Sequence, residues 1–269
     1  MMATVITFGL QKGGVSKTTT TGVFAHFLSQ DGYKVLAIDM DSQGNLTELL
    51  TDEPANEFIL QSSFEAIVYR EPEKYIVNVS DNLDLIPGNN MLALFPRWLY
   101  TNRLPDNKII KRKGEVWEQL DSIVDKLRDK YDFILIDTPP SLSEQTTNSM
   151  FASDYVFMLF EGSRFCYSAV PNFMETINTA NNISHHKPTP LGILRTLNDS
   201  RRSDPKYFND KIAEDFPDLV FETIITRKAA IGRLSLFGFN DNIELEKALE
   251  EYREAYNEFL ERIEGKMNE

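Results

Sequence analysis

A doubly wound α/β fold, with helices on both faces of a mostly parallel sheet, is what this sequence predicts, and three observations carry that prediction. Short, unbroken apolar runs recur along the chain. Longer polar segments with helical periodicity separate them. A glycine-rich turn stands between the first apolar run and the first helical segment. Strands that read as continuous apolar runs are buried on both faces, and parallel strands need a crossover connection that a helix usually supplies.

Taken in order, strands are expected at 4–8, 35–38, 83–86, 133–136, 155–160, 191–194 and 220–225, with helices at 18–31 and 115–130 among the segments between them. Near the end, Leu245, Leu249, Tyr252, Tyr256, Phe259, Leu260 and Ile263 fall at steps of three and four, the pattern of an amphipathic helix over 243–263. Its polar face is mostly acidic: Glu246, Glu250, Glu251, Glu254, Glu258 and Glu261. Interfacial helices present Lys and Arg to anionic lipid, so this helix is expected to pack on the core and not on a membrane. No repeat, low-complexity tract or Gly/Ser/Pro-rich linker divides the chain, and residues 1–269 are expected to form one domain.

Composition narrows the function classes. At 42% hydrophobic and 26% charged residues, the chain has the make-up of a soluble globular protein. Its single cysteine, Cys166, excludes an internal disulfide framework and any cysteine-rich metal or iron–sulfur site built by one chain. Neither a long apolar span nor a signal-peptide pattern is present, so a cytoplasmic protein is expected. The formal net charge of −13 argues against nucleic acid as a partner unless basic residues cluster.

The strongest chemical signal is Gln11-Lys12-Gly13-Gly14-Val15-Ser16-Lys17-Thr18-Thr19, between the first strand and the first helix. A polyphosphate needs a loop whose backbone N–H groups turn inward, a lysine for the β- and γ-phosphates, and a hydroxyl for Mg²⁺. Gly13 and Gly14 supply the flexibility, Lys17 the charge and Thr18 the metal ligand, while the helix N-terminus adds its partial positive charge. The cofactors expected are therefore ATP and Mg²⁺, held by residues 13–19. Gln11 and Ser16 stand where the plain GxxxxGK[ST] pattern has glycine. If position 16 needs a positive φ, its serine costs on the order of 1 kcal/mol.

With Lys12 just before the glycine pair, the loop resembles the deviant Walker A motif of the ParA/MinD group of ATPases, most closely that of ParA-type partition ATPases. That family normally reads KGGxGKT, so Ser16 is a departure that puts the turnover rate in question. By the resemblance, Lys12 reaches across an ATP-bound sandwich homodimer to the partner's nucleotide, which makes dimerisation depend on the γ-phosphate.

Two further segments match. Asp39-Met40-Asp41-Ser42-Gln43-Gly44-Asn45 resembles the family's DxDxQGN, which implies that Asp41 orients or activates the attacking water and that Asp39 helps to hold the Mg²⁺ shell. Carboxylates at the carboxyl end of a parallel strand face the ligand crevice. Phe133-Ile134-Leu135-Ile136-Asp137 makes a Walker B strand whose Asp137 binds Mg²⁺, and Thr138-Pro139-Pro140-Ser141 resembles the family's γ-phosphate-sensing switch.

Weaker matches run on through Asn82 to Asn89 (NLDLIPGN), Gly192 to Arg201 (GILRTLNDSR) and Val220 to Gly238, where Thr226 and Arg233-Leu234-Ser235 depart from the family's Pro and Glu-Ala-Pro. Catalysis is thus assigned to Lys12, Lys17 and Asp41, and metal binding to Thr18, Asp39 and Asp137.

The same resemblance implies that the ATP-bound dimer binds DNA without sequence preference and associates with the nucleoid. The candidate contacts are Arg201, Arg202, Arg227, Lys228 and Arg233, with Arg195 and Lys206 nearby. A separate basic run, Arg97, Arg103, Lys108, Lys111, Arg112 and Lys113, is interleaved with Trp98 and Tyr100. Several phosphate contacts of this kind give salt-sensitive, sequence-independent affinity.

The first strand begins at residue 4, leaving no room ahead of it for a helix-turn-helix, so a ParB-like centromere-binding protein is expected to supply sequence specificity and to stimulate hydrolysis. Plasmid or chromosome cargo is expected, and the closeness to plasmid-type motifs favours a plasmid. A MinD-like membrane-cycling or protein-cargo-positioning ATPase is the rival, and the acidic terminal helix argues against the membrane-cycling form. A nitrogenase-reductase-like iron protein fails on cysteine count. A non-catalytic switch, in which Ser16 all but stops hydrolysis, is the third alternative.

Overall fold

The structure is a computed structural model that describes residues 2–198, 203–234, 238–239 and 243–267. Its strands form one eight-stranded sheet: β1 (Thr4–Gly9), β2 (Val35–Asp39), β3 (Val77–Ser80), β4 (Leu83–Ile86), β5 (Phe133–Asp137), β6 (Tyr155–Glu161), β7 (Thr189–Asn198) and β8 (Val220–Thr226). The spatial order is β3-β4-β2-β5-β1-β6-β7-β8, and every neighbouring pair is parallel except β3 with β4. The helices are α1 (Lys17–Gln30), α2 (Asn45–Thr51), α3 (Ser63–Tyr69), α4 (Phe95–Thr101), α5 (Asp121–Val124), α6 (Glu144–Phe151), α7 (Arg164–Ile183), α8 (Ser203–Asp215), α9 (Ala229–Gly232) and α10 (Ile243–Met267).

The expected strands are all present, with ends that match or differ by at most four residues. The central strands are buried on both sides because successive side chains feed two different cores. On β2 and β5, Val35, Ala37, Phe133 and Leu135 face the layer containing α1 and α10, while Leu36, Ile38, Ile134 and Ile136 face the layer containing α3, α4 and α5. Phe8, Phe24, Phe157, Tyr256 and Phe259 form an aromatic cluster with centroids 5.1–6.1 Å apart, which clamps α10 and α1 onto β1 and β6.

Two expectations need correction. The segment 115–130 is not one regular helix: only Asp121–Val124 is α-helical, and tighter turns follow it, with Leu127 N–H bonded to Val124 and Lys130 N–H to Leu127. The cause is a tertiary cap. The Asn148 side-chain oxygen on α6 accepts from the N–H groups of Gln119 and Leu120, and so fixes where the helix starts. Antiparallel β3 was not anticipated, since VNVS is short and alternates polar with apolar residues.

On the terminal helix, Tyr252, Tyr256, Phe259 and Ile263 are buried. Its acidic face is not simply solvated, however. Glu258 accepts from the N–H groups of Glu222 and Thr223, and Glu251 from the N–H and hydroxyl of Thr226. Arg262 donates to the carbonyls of Leu219 and Val220. The helix thereby covers the open edge of β8, where unpaired backbone groups would invite another strand.

Candidate functional site

The turn after β1 wraps a cleft of about 390 Å³ at the carboxyl ends of the strands, lined by Gly13, Gly14, Val15, Ser16, Lys17, Thr18 and Thr19 on one side and by Asp41, Thr138 and Pro140 on the other. A parallel sheet places ligands at this edge. The loop has a left-handed backbone at Gly14, with φ 75°, and again at Ser16, with φ 62°. The conditional cost of Ser16 therefore applies: a Cβ-bearing residue holds a conformation that favours glycine, at about 1 kcal/mol. Ser16 makes no side-chain cap to α1, so the first N–H groups of that helix face the cleft without a protein acceptor from this residue.

Lys17 is 6% exposed, and its ammonium donates to the Lys12 carbonyl at 2.7 Å. Burial lowers its pKa, against the pull of Asp137 and Asp41. Lys12 itself is half-buried, at the turn leading into the glycine pair. Two lysines five positions apart thus occupy different places, one inside the cleft and one at the loop's entrance.

Asp39 and Asp137 sit side by side as register partners on β2 and β5, and both are fully buried. Burial raises both carboxyl pKa values. Asp39 beside it raises Asp137 further, and hydrogen bonds from Thr47 and Asp41 counter the rise at Asp39. Their partners separate their tasks. Asp137 Oδ2 accepts from the Thr18 hydroxyl at 2.6 Å, directly behind the cleft wall that Thr18 lines. Asp39 accepts from the N–H of Asp41 at 3.0 Å, the N–H of Thr47 at 3.0 Å and the Thr47 hydroxyl at 2.8 Å. Asp39 is therefore placed to hold the loop that carries Asp41. Asp41 lines the cleft and accepts from the Gln43 N–H at 3.0 Å. Hydroxyl and carboxylate oxygens facing a cleft are the hard donors that Mg²⁺ takes, with water completing its shell. Thr18 and Asp137 fit that role by chemistry and position.

Several supporting residues carried no role on the sequence alone. The Thr196 hydroxyl on β7 donates to the Val15 carbonyl at 3.0 Å and steadies the loop from the neighbouring strand. Thr138 donates to the Phe8 carbonyl at 2.7 Å, tying the switch segment to β1. Gly44 has φ 67°, and a Cβ there would lie 2.8 Å from the Gly88 carbonyl oxygen. The DxDxQGN and NLDLIPGN segments thus close on each other around Asp39. The Tyr252 hydroxyl of α10 is buried beside Thr20 and Ser16 without a well-formed hydrogen bond, and burial pushes its pKa well up. The only sequence hint of these supports was their presence inside matching segments.

The basic candidates fare unevenly. Arg201 and Arg202 lie outside the described residues. Arg227 has a 60% exposed side chain and lies 3.6 Å from Glu161. Lys228 is 3.2 Å from Glu251, and Arg233 pairs with Glu244. Arg195 is half-buried and donates to the Phe221 and Glu222 carbonyls of β8. In the other basic run, Arg112 is bound to the Leu99 and Gly114 carbonyls and Trp98 is buried, with its indole N–H on the Ile110 carbonyl. Trp98 is therefore core and no stacking platform, while Arg97, Arg103, Lys108, Lys111 and Lys113 are exposed.

Comparison with known proteins agrees with the cleft. An AAA domain family profile matches residues 3–188. The chain is 30% identical over 242 residues to the sporulation initiation inhibitor protein Soj of Bacillus subtilis, spanning 88% of this chain and 89% of that one. Cobyrinic acid a,c-diamide synthase from Mycobacterium smegmatis, solved with ADP and magnesium, is 29% identical, with a TM-score of 0.73 over 87% of this chain and 91% of that one. An ATP complex of a McdA variant from Cyanothece shares the fold, with a TM-score of 0.80 at 20% identity over 96% of each chain. From the loop, the two strand-end aspartate segments and these matches, the chain belongs to the ParA/Soj-type family of P-loop ATPases.

Proposed function

We propose that this chain is an ATP-dependent partition switch. It binds ATP with Mg²⁺, pairs with a second copy through Lys12, engages DNA without sequence preference, and is reset when a ParB-like centromere-binding partner stimulates hydrolysis. The observation that carries this reading is the division of labour between the two lysines. Lys17 lies inside the cleft on the Lys12 carbonyl, ready to exchange that acceptor for the β- and γ-phosphates, and Lys12 stands at the loop's entrance, where a partner's nucleotide would approach.

When bound, Mg²⁺ supplies charge neutralisation across the phosphates. Thr18 and Asp137 would hold it, with Asp39 behind them fixing the loop that carries Asp41. Asp41 orients the attacking water, and the first turn of α1 receives the phosphates on its N–H groups. In-line phosphoryl transfer asks for positioning and charge stabilisation more than for covalent chemistry, and this cleft offers those. Hydrolysis opens the dimer and releases DNA, so the protein cycles between states as a switch. Plasmid DNA is the cargo that the motifs favour.

A second reading has its own observation: Lys228 and Arg233 are paired with glutamates of α10, which lowers the positive charge left for phosphates. A protein-cargo-positioning ATPase would use the same cleft with another outer surface. The membrane-cycling variant of that reading would need a free apolar face on α10, and here that face is buried on α1 and the sheet.

Binding to arbitrary duplex DNA, followed by cosedimentation with ATP, with ADP and without nucleotide, separates the two. Binding in ATP alone, weakened by salt and lost in Lys12→Ala, is the expected result. No binding in any nucleotide state would remove DNA from the mechanism and leave the ATPase and a protein cargo.

A further inference from the structure

We propose that Asp121, Asp125, His185 and His186 form a binding site for one divalent transition-metal ion, Zn²⁺ foremost, at the edge of the sheet opposite the nucleotide cleft. Asp121 and Asp125 precede β5 and the histidines precede β7, so all four lie at the amino ends of parallel strands, whereas the P-loop follows the carboxyl end of β1. The proposal is independent of the nucleotide chemistry.

One ligand atom from each residue falls within 4.8 Å of all the others. His186 Nε2 is 2.8 Å from Asp121 Oδ1 and 3.2 Å from Asp125 Oδ1, and His185 Nε2 is 3.7 Å from Asp121 Oδ2 and 3.6 Å from Asp125 Oδ2. Each carboxylate thus offers one oxygen to each imidazole. Ligand bonds of about 2.0–2.1 Å in a tetrahedron leave donor atoms about 3.4 Å apart, so a set of one atom per residue lying within 4.8 Å needs only a small inward shift to close on an ion. Two imidazole nitrogens with two carboxylate oxygens form a donor set that suits Zn²⁺ and its first-row neighbours better than Mg²⁺ or Ca²⁺.

Charge points the same way. Two carboxylates face two imidazoles whose rings are 3.9 Å apart. One dication would answer both carboxylates at once, with the rings parting as it enters. Arg128 Nε lies 3.3 Å from Asp125 Oδ1 and gives that carboxylate one cationic neighbour, while Nη1 is committed to Asp154 and the Ala3 carbonyl and Nη2 to the Ala152 carbonyl, so Asp121 gets no charge from it.

The frame is already built. The Ser184 hydroxyl binds the Phe151 carbonyl and accepts from the His186 N–H, and Asn148 fixes the start of the segment bearing Asp121. The Asp121 and His186 side chains are 7% and 13% exposed and those of Asp125 and His185 43% and 62%, so the site has a rigid inner half and an outer half open to an arriving ion. The bound ion would clip the 121–125 segment to the loop before β7.

The test uses the full chain stripped with a chelator and supplied with excess ADP and Mg²⁺ to occupy the P-loop carboxylates, with Zn²⁺ alone as the calorimetric titrant. The proposal expects one equivalent of Zn²⁺ per chain, a rise in Tm on adding it, and Co²⁺ absorption of tetrahedral intensity. In the His185→Gln/His186→Gln double variant all three should vanish, while ADP affinity stays unchanged. In Asp125→Asn the affinity should fall at least about tenfold. Absence of stoichiometric uptake by the unmodified chain, or uptake unaltered in the double variant, would overturn it and leave Asp–His ion pairs only. Should the double variant misfold, the Co²⁺ spectrum of the unmodified chain decides: weak octahedral bands contradict the site.

Discussion

At the nucleotide cleft, the side chains that matter come from three short runs, each ending a strand that the sheet places beside the next. At the β8–α10 edge, charged groups from segments far apart are committed to the backbone of β8 or paired with one another. Lys17 and Thr18 make single contacts, to the Lys12 carbonyl and to Asp137, that an arriving phosphate or cation can replace. Glu251, Glu258 and Arg262 are instead committed to the backbone of β8. The first region is polar because it awaits a ligand, and the second because it closes a fold. The charge of a side chain therefore says less about its use than whether its partners could be exchanged.

The largest test of this contrast is Lys17→Ala. Loss of the buried cation should reduce ATP hydrolysis about 10²–10³-fold in a phosphate-release assay, while the circular dichroism spectrum and the α10 contacts stay as they are. A matching substitution across the molecule, Glu258→Ala, should do the reverse. It strips acceptors from the Glu222 and Thr223 N–H groups and from Arg262, and should cost about 1–3 kcal/mol in urea unfolding with ADP affinity unchanged. If Glu258→Ala left stability intact but altered nucleotide binding, the separation between the regions would fail.

Arg227→Ala sharpens the edge further. Its side chain is the most exposed of the described candidate DNA contacts. Its loss should make the dependence of log affinity for DNA on log salt shallower by about one unit per phosphate contact, without changing the rate in the absence of DNA. The smallest effect belongs to Ser16→Gly. Removing the Cβ from a residue at φ 62° should stabilise the chain by about 1 kcal/mol, visible as a modest rise in Tm. A fall in Tm would mean that the Ser16 side chain, beside Tyr252, contributes more than its backbone strain costs.

Much of the fold was legible because its central strands are continuous apolar runs, and a parallel sheet leaves few ways to arrange them. The cleft was legible because phosphate chemistry demands particular residues at fixed spacing, as in residues 12–18. What stayed hidden depends on neighbours distant in sequence. The 115–130 segment has helical periodicity, yet Asn148 caps it partway along. Trp98 reads as an aromatic in a basic run and proves to be core, and the glutamates of α10 read as the polar face of an amphipathic helix although two of them cover a sheet edge. Asp121 and His186 are 65 positions apart and meet only because α5 and the loop before β7 share one edge of the sheet.

The most direct test of the proposed switch is the mass of the chain in solution, measured by sedimentation velocity with ATP and Mg²⁺ in the Asp41→Ala background and compared with ADP. Dimer in ATP, monomer in ADP, and monomer in both once Lys12→Ala is added is the predicted result. One mass in every nucleotide state, or an ATP dimer that persists without Lys12, would contradict it.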